Sequence, residues 1–324
     1  MKVEKVPVDR APGHILLHNQ MGQAGRRVLK KGHLLSQDDV STLRELGKDE
    51  VYVAMLAQDD VAENEAARRI GDIVKTKQIE TSTATTGRVN LLATSSGLFK
   101  VNQAGLLAFN DRPSITLATI ANNMTVQPKT ILGTVKIIPY GVPEAELEAA
   151  VAVARRESPL VDIKPFVIGR AALITTGSEA AREKVIGGFT PALRERLAGY
   201  DTEMIEGPYV PENEADISEA LQWALDSGVG MILVAGETSI MDADDITPRA
   251  IKAIGGEIVH HGVPVEPGNL FLLAYREAIP IVGAPGCAKS KSYNVVDMVL
   301  PRLAAGERLG RRDLIALGHG GLLK

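Results

Sequence analysis

Apolar positions along this chain fall into two rhythms, which change near residue 160. In the first stretch, Val40, Leu43 and Leu46 recur at helical spacing between Ser36, a good N-cap, and Gly47, a helix-ending residue. A short helix is predicted there. Val51-Tyr52-Val53-Ala54 predicts a strand, and Ala66, Ala67, Ile70 and Val74 predict an amphipathic helix over 62–77. From Val89 to Val135 the pattern breaks into short apolar runs, VNLLAT, GLFKV, GLLAFN, SITLATI and TILGTVKII, separated by Gly, Asn and Pro. That texture predicts a β-rich subdomain. Leu147, Ala150, Val151 and Ala154 give residues 144–156 one apolar helical face. Ser158-Pro159 and Lys164-Pro165 then bracket a linker, since residues preceding proline avoid the helical region.

From Phe166 onward, apolar runs alternate with helical patterns. Strands are predicted at 171–175, 203–205, 230–235, 270–274 and 279–283. Helices are predicted at 191–197, with Pro191 in the first turn, and at 216–225, 248–254 and 293–303. Runs of four to six apolar residues between helices indicate a sheet covered on both faces. The expected architecture is α/β: a three-layer, largely parallel sheet domain over 165–324, preceded by a smaller α+β, β-rich domain over 1–160.

Composition sharpens this picture in three places. The 324 residues carry a net charge of -4, and aromatics make up 4%. Neither a basic surplus for phosphate contacts nor stacking platforms for single strands are present, so nucleic acid is not an expected partner. Cys287 is the single cysteine, which excludes an intrachain disulfide and any multi-cysteine zinc site. No apolar run approaches the roughly 20 residues that span a bilayer, and MKVEKVPVDRAPG has no apolar core of a secretory signal. A cytoplasmic location without membrane contact is expected.

Ligands of open α/β sheets bind beyond the carboxyl ends of the strands, and three strand ends here have unusual sequences. The first is Thr175-Thr176-Gly177-Ser178-Glu179. Gly177 lets the backbone turn sharply and frees N–H groups to face an anion; an ordinary polar turn with a helix cap is the competing reading. The second runs from Ala235 through Gly236, Glu237, Thr238, Ser239, Ile240, Met241, Asp242, Ala243 and Asp244 to Asp245. Its clustered carboxylates repel one another unless a cation or donor-rich ligand lies between them. Mg2+ or the N–H edge of an aminopyrimidine would suit Asp242 and Asp244. An acidic cap for the following helix explains Asp245 equally well. The third is Gly283-Ala284-Pro285-Gly286-Cys287-Ala288-Lys289-Ser290. Ala288 stands where a P-loop requires glycine, which argues against an ATPase, yet Gly286 with Lys289 or Lys291 could hold a phosphate. Cys287 reads as a buried, inert thiol.

The order TTGSE, VAGETSIMDADD, VEPGN, GAPGCAKS resembles the molybdopterin-binding domain of MogA-, MoaB- and MoeA-type proteins, over about residues 166–305. Thr176, Gly177 and Glu179 match the first motif of that family. Gly236, Ser239 and Asp244 match the second, Pro267 and Gly268 the third, and Pro285, Gly286 and Ser290 the fourth. Ser178 stands where the family has aspartate, Glu237 and Met241 replace glycines, and Cys287 replaces asparagine. The resemblance implies molybdopterin as ligand, with Gly177, Ser178, Gly236 and Ser239 on its phosphate. It implies Asp242 and Asp244 as catalytic or Mg2+-holding acids, and molybdate or an ATP-derived adenylate as further reactants. Other molybdenum-cofactor proteins and further copies of this chain are the implied partners. The stretch LATIANNMTVQPKTILGTVKIIP is similar to the β-rich domain that precedes such a domain in MoeA-related proteins, whose further C-terminal β domain is not expected here.

Three functions follow as expectations: an enzyme of molybdenum-cofactor assembly by adenylylation or metal insertion, a non-catalytic molybdopterin carrier or sensor, and a nucleotide-binding α/β protein. Ser178 in place of the aspartate favours the second over the first. His14 and His18 are four apart, a spacing that would place two metal ligands on one helix face, but Pro12-Gly13 just before them and the lack of a clear third ligand argue against a metal site. His260 and His261 would point to opposite faces of a strand. Neither a G-x-G-x-x-G fingerprint nor a G-x-S-x-G elbow is present.

Overall fold

A computed structural model describes residues 1–22 and 25–323. The chain divides into two compact units, one of residues 1–95 and 99–163, the other of residues 164–324 with 96–98. No helix among the described residues is long and apolar enough to cross a membrane.

In the first unit, strand Glu50–Met55 lies between Lys2–Pro7 and Ile15–Leu16. The helix Gln37–Glu45 packs Val40 and Leu43 beneath this sheet, and Ser36 and Asp39 close a capping box at its start. A second, four-stranded sheet orders Ile115–Thr119, Ile131–Ile137, Arg88–Ala93 and Ile79–Thr81. Helices Glu63–Val74 and Glu144–Arg156 bury Ile70, Val74, Leu147 and Val151 in the same core as this sheet. Two sequence expectations are corrected here. The run GLLAFN is part of a helix, Gln103–Asn110, because Asn102 caps it by accepting from the Gly105 N–H at 2.9 Å. The expected linker contains a strand, Val161–Lys164, whose Val161 and Ile163 alternate into the core. His14 and His18 flank the short strand Ile15–Leu16, so they do not share a helix face.

The second unit is a three-layer α/β domain. Its elements in chain order are β1 (Arg170–Thr176), α1 (Arg182–Ala198), β2 (Glu203–Val210), α2 (Glu214–Asp226), β3 (Met231–Gly236) and α3 (Ile246–Ala253). They continue with β4 (Glu257–His261), β5 (Leu272–Arg276), β6 (Ile279–Gly283) and α4 (Val295–Ala304). The sheet order is β2-β1-β3-β6-β5-β4. The first four of these run parallel, and β5 pairs antiparallel with β6 and β4.

Strand periodicity explains the layering. Side chains alternate across a strand, so Ala171, Leu173, Met231 and Leu233 join Phe189 and Leu193 of α1 and Val299 of α4 in one core. Ala172, Ile174, Ile232 and Val234 join Ile217 and Leu221 of α2 and Ile251 of α3 in another. Strands β1 and β3 are therefore apolar on both faces, which is why each reads as a continuous run. Burying one Leu or Phe here contributes about 1.5–3 kcal/mol.

Helix α1 begins at Arg182, nine residues earlier than Pro191 would suggest if that proline opened it. A proline inside a helix leaves the carbonyl four residues back without its donor and crowds it. Here that residue is Gly187, which is exposed and side-chain-free, so water can meet the carbonyl and the ring has room.

Candidate functional site

The parallel strands end together. Thr176 pairs in register with Gly236 and Val210, and Val234 with Gly283. The loops leaving β1, β3 and β6 consequently emerge along one rim.

Gly177 turns the chain away from β1 with φ +156° and donates its N–H to the Val210 carbonyl at 3.0 Å. A side chain at this position would meet the Tyr209 hydroxyl and Glu237, which explains why glycine is needed. Ser178 follows, exposed, and both its N–H and its hydroxyl donate to Glu237 Oε2 at 2.8 Å. The Tyr209 hydroxyl donates to the Ser178 carbonyl at 2.7 Å. Glu179 pairs with Arg182 at 3.2 Å, and the Arg182 guanidinium stacks on the Tyr209 ring.

After β3, Gly236 packs against Thr176 and Glu212: a Cβ built there would lie 2.8 Å from the Thr176 hydroxyl and from a Glu212 oxygen. Glu212 in turn accepts from the Thr238 N–H at 3.1 Å and the Thr238 hydroxyl at 2.8 Å. Ser239 faces Gly286 across the rim, its hydroxyl 3.8 Å from where a Gly286 side chain would begin. A cavity of about 20 Å³, room for a single water, lies here between Glu212, Gly236, Thr238, Ser239, Asp245 and Ala284.

The acidic loop is arranged internally. Asp242 Oδ1 accepts the Asp244 N–H at 2.8 Å, and Asp244 Oδ1 takes the Lys252 ammonium at 2.9 Å. Asp245 caps α3, accepting the N–H groups of Ile246 at 2.7 Å and Met241 at 3.1 Å. Lys252 holds the Asp244 carboxyl below its ordinary range. Among the described residues no group of three or more His, Cys, Asp or Glu side chains is placed to hold a metal ion. As arranged, Asp242 and Asp244 do not fit Mg2+, which needs several converging oxygens.

Residues 286–289 form a short 3-10 turn, followed by α4 with Asn294 as its N-cap. Lys289 lays its stem along Gly188 and its ammonium over the Phe189 ring at 4.6 Å, turned onto α1. The Ser290 hydroxyl accepts the Ser292 N–H at 3.0 Å. Cys287 is half-buried, and burial pushes its thiol pKa up, consistent with an inert thiol. Pro267 and Gly268 lie at the start of α4: the Pro267 carbonyl accepts the Val295 N–H at 3.4 Å, and a Cβ on Gly268 would strike the Val295 side chain. Pro285 is buried under the same turn.

Two partners of this site carried no signal in the sequence. Arg196 of α1, almost fully buried, clasps both carboxylate oxygens of Asp297 at 2.8 and 3.1 Å. It also donates to the carbonyls of Ala192, Ala288, Ser290 and Ser292. Glu212 is the other. Arg196 sits in a helix that the sequence predicts without assigning its charges a role, and Glu212 lies in a loop outside every motif.

Residues 172–305 match the family described as "Probable molybdopterin binding domain". That match lies within the second unit and covers most of it. Residues 5–55, in the first unit, match a family described only as a domain of unknown function. No curated protein matches the chain. Similar solved structures include the molybdopterin biosynthesis MoeA protein from Pyrococcus horikosii, 13% identical over 94% of this chain and 75% of that one, TM-score 0.33. The molybdopterin biosynthesis enzyme MoaB from Thermus thermophilus is 19% identical over 43% of this chain and 98% of that one, TM-score 0.30. Likenesses of that size add nothing to the family match. In the second unit, the first, second and fourth motifs share the rim through Gly177 beside Glu237, Gly236 beside Thr176, and Gly286 beside Ser239. The third supports it from the start of α4.

Proposed function

We propose that the second unit binds molybdopterin at this rim. The convergence of three glycine-bearing loops at the ends of parallel strands carries the reading, since such turns present N–H groups and hydroxyls to a phosphate. The family match of residues 172–305 supports a role in molybdenum-cofactor biosynthesis. In this reading Gly177, Ser178, Gly236, Ser239 and Gly286 seat the phosphate, with Thr176, Glu179, Pro285 and Ser290 shaping their loops. The Asp242/Asp244 pair accepts the amino edge of the pterin, Asp244 exchanging its exposed Lys252 partner for it.

Mass spectrometry of small molecules that copurify with the chain, followed by titration with molybdopterin, tests this. A chain that binds AMP or GTP and ignores molybdopterin overturns it. Asp244→Ala is expected to lower molybdopterin affinity at least tenfold, about 1.4 kcal/mol. Its melting temperature should hardly move, because an exposed ion pair contributes little. Unaltered affinity would leave the acidic loop as a helix cap and nothing more.

A carrier or sensor is favoured over an adenylyl- or molybdenum-transferase by Ser178, which supplies no carboxylate where the family has aspartate. Incubation with molybdopterin, Mg-ATP and molybdate separates the two: tight binding without product is expected, and turnover would reinstate the enzyme.

A further inference from the structure

Two donor residues of the rim, Ser178 and Thr238, are already engaged by carboxylates of the chain. Ser178 directs an N–H and an O–H at a single oxygen of Glu237, both at 2.8 Å. This is the geometry in which a phosphate oxygen would be held, and charge assistance makes such bonds strong. Thr238 directs its N–H at one carboxylate oxygen of Glu212 and its hydroxyl at the other.

The two carboxylates differ in how firmly they are kept. Glu212 is half-buried and wedged against Gly236 and Thr176. Glu237 is exposed and reaches its seat from the outside, over the bare Cα of Gly177, where a Cβ would lie 2.9 Å from Glu237 Cβ. The Tyr209 hydroxyl holds the carbonyl of Ser178, keeping the donor peptide aimed at that seat. Burial and then the charges of Glu237, Glu179 and Glu212 push the Tyr209 phenol up, so all three carboxylates act on the same spot.

We propose that Glu237 is a specificity-determining residue: its carboxylate occupies the anion seat formed by Ser178, and only an anionic ligand with further contacts along the rim displaces it. The inference rests on the reading of this rim as a phosphate cradle. A small free anion meets occupied donors and a repelling charge, and gains nothing elsewhere to offset them. Inorganic phosphate and pyrophosphate are therefore rejected, and a phosphate carried on a ring is admitted. The position that holds glycine in the resembling motif thus carries a built-in competitor here.

The test is titration of the full chain with pyrophosphate at constant pH and ionic strength, for the native protein, Glu237→Ala, Glu237→Gln and Glu183→Ala. Glu183 lies exposed in the first turn of α1 and controls for net charge. Glu237→Ala is expected to bind pyrophosphate at least tenfold more tightly than the native chain, Glu237→Gln to fall between them, and Glu183→Ala to stay within twofold of native. Circular dichroism verifies folding, and Glu237→Gln, which preserves side-chain size, stands in should the alanine variant unfold. No gain in either Glu237 variant, or an equal gain in Glu183→Ala, overturns the proposal. Molybdopterin titrated into the same proteins keeps the two readings apart. A pterin that binds none of them while pyrophosphate gains in Glu237→Ala defeats the ligand assignment and leaves the role of Glu237 standing.

Discussion

At the scale of single residues, glycines and carboxylates decide what the rim can do. Gly177, Gly236 and Gly286 were legible in the sequence because glycine at a strand end marks a sharp turn or a close approach that a side chain would block. Of the partners they make room for, Glu237 stood in the second motif as a candidate ligand contact, whereas Glu212 lay outside every motif and read as an ordinary surface acid until the fold places donors against it. Lys289 illustrates the opposite case. Its position after Pro285-Gly286 suggested a phosphate contact, yet the ring of Phe189, invisible in the local sequence, takes the ammonium. Gly268 offers a clean check on backbone fit. With φ +133° and Val295 where its side chain would start, Gly268→Ala should destabilise the second unit by about 1–3 kcal/mol in urea unfolding. An unchanged midpoint would mean that the start of α4 shifts freely.

At the scale of elements, the helices and strands followed from apolar spacing wherever packing and propensity agree. They departed from it where one side chain overrides the pattern. Asn102 turns an apolar run into the helix Gln103–Asn110, and exposed Gly187 lets α1 run through Pro191. The loop between β6 and α4 has no regular hydrogen bonding beyond one turn, and its shape depends on Arg196. Arg196→Ala should cost about 3–5 kcal/mol, because it strands the Asp297 carboxylate and four carbonyl contacts together. Arg196→Lys should recover less than half of the loss, since one ammonium cannot serve a bidentate acid and several carbonyls at once. Chemical denaturation of both variants measures this; full rescue by lysine would reduce Arg196 to a point charge.

At the scale of the whole molecule, the three-layer class was legible because doubly buried strands leave uninterrupted apolar runs, as in Ala171-Ala172-Leu173-Ile174. Acid stability belongs to this scale as well. Hydrogen bonds from Arg68, then Arg69, bring the Glu65 carboxyl from 4.5 down to about 2, and the Ser178 N–H lowers that of Glu237. A depressed carboxyl stabilises the fold above its unfolded pKa and loses that contribution as pH falls through the folded one. The melting temperature should therefore decline on acidification from about pH 4.5 toward pH 2, and Glu65→Gln should flatten part of that slope. A curve as steep in the variant as in the native chain would assign the loss to other groups. The alternation of Met231, Ile232, Leu233 and Val234 between two separate cores has a last consequence. One residue inserted within that strand would trade the occupants of both layers and ruin each. Residues added beyond Gly236 disturb neither, so heredity can rewrite the ligand chemistry of this protein only at its margins, loop by loop, while the strands beneath stay fixed.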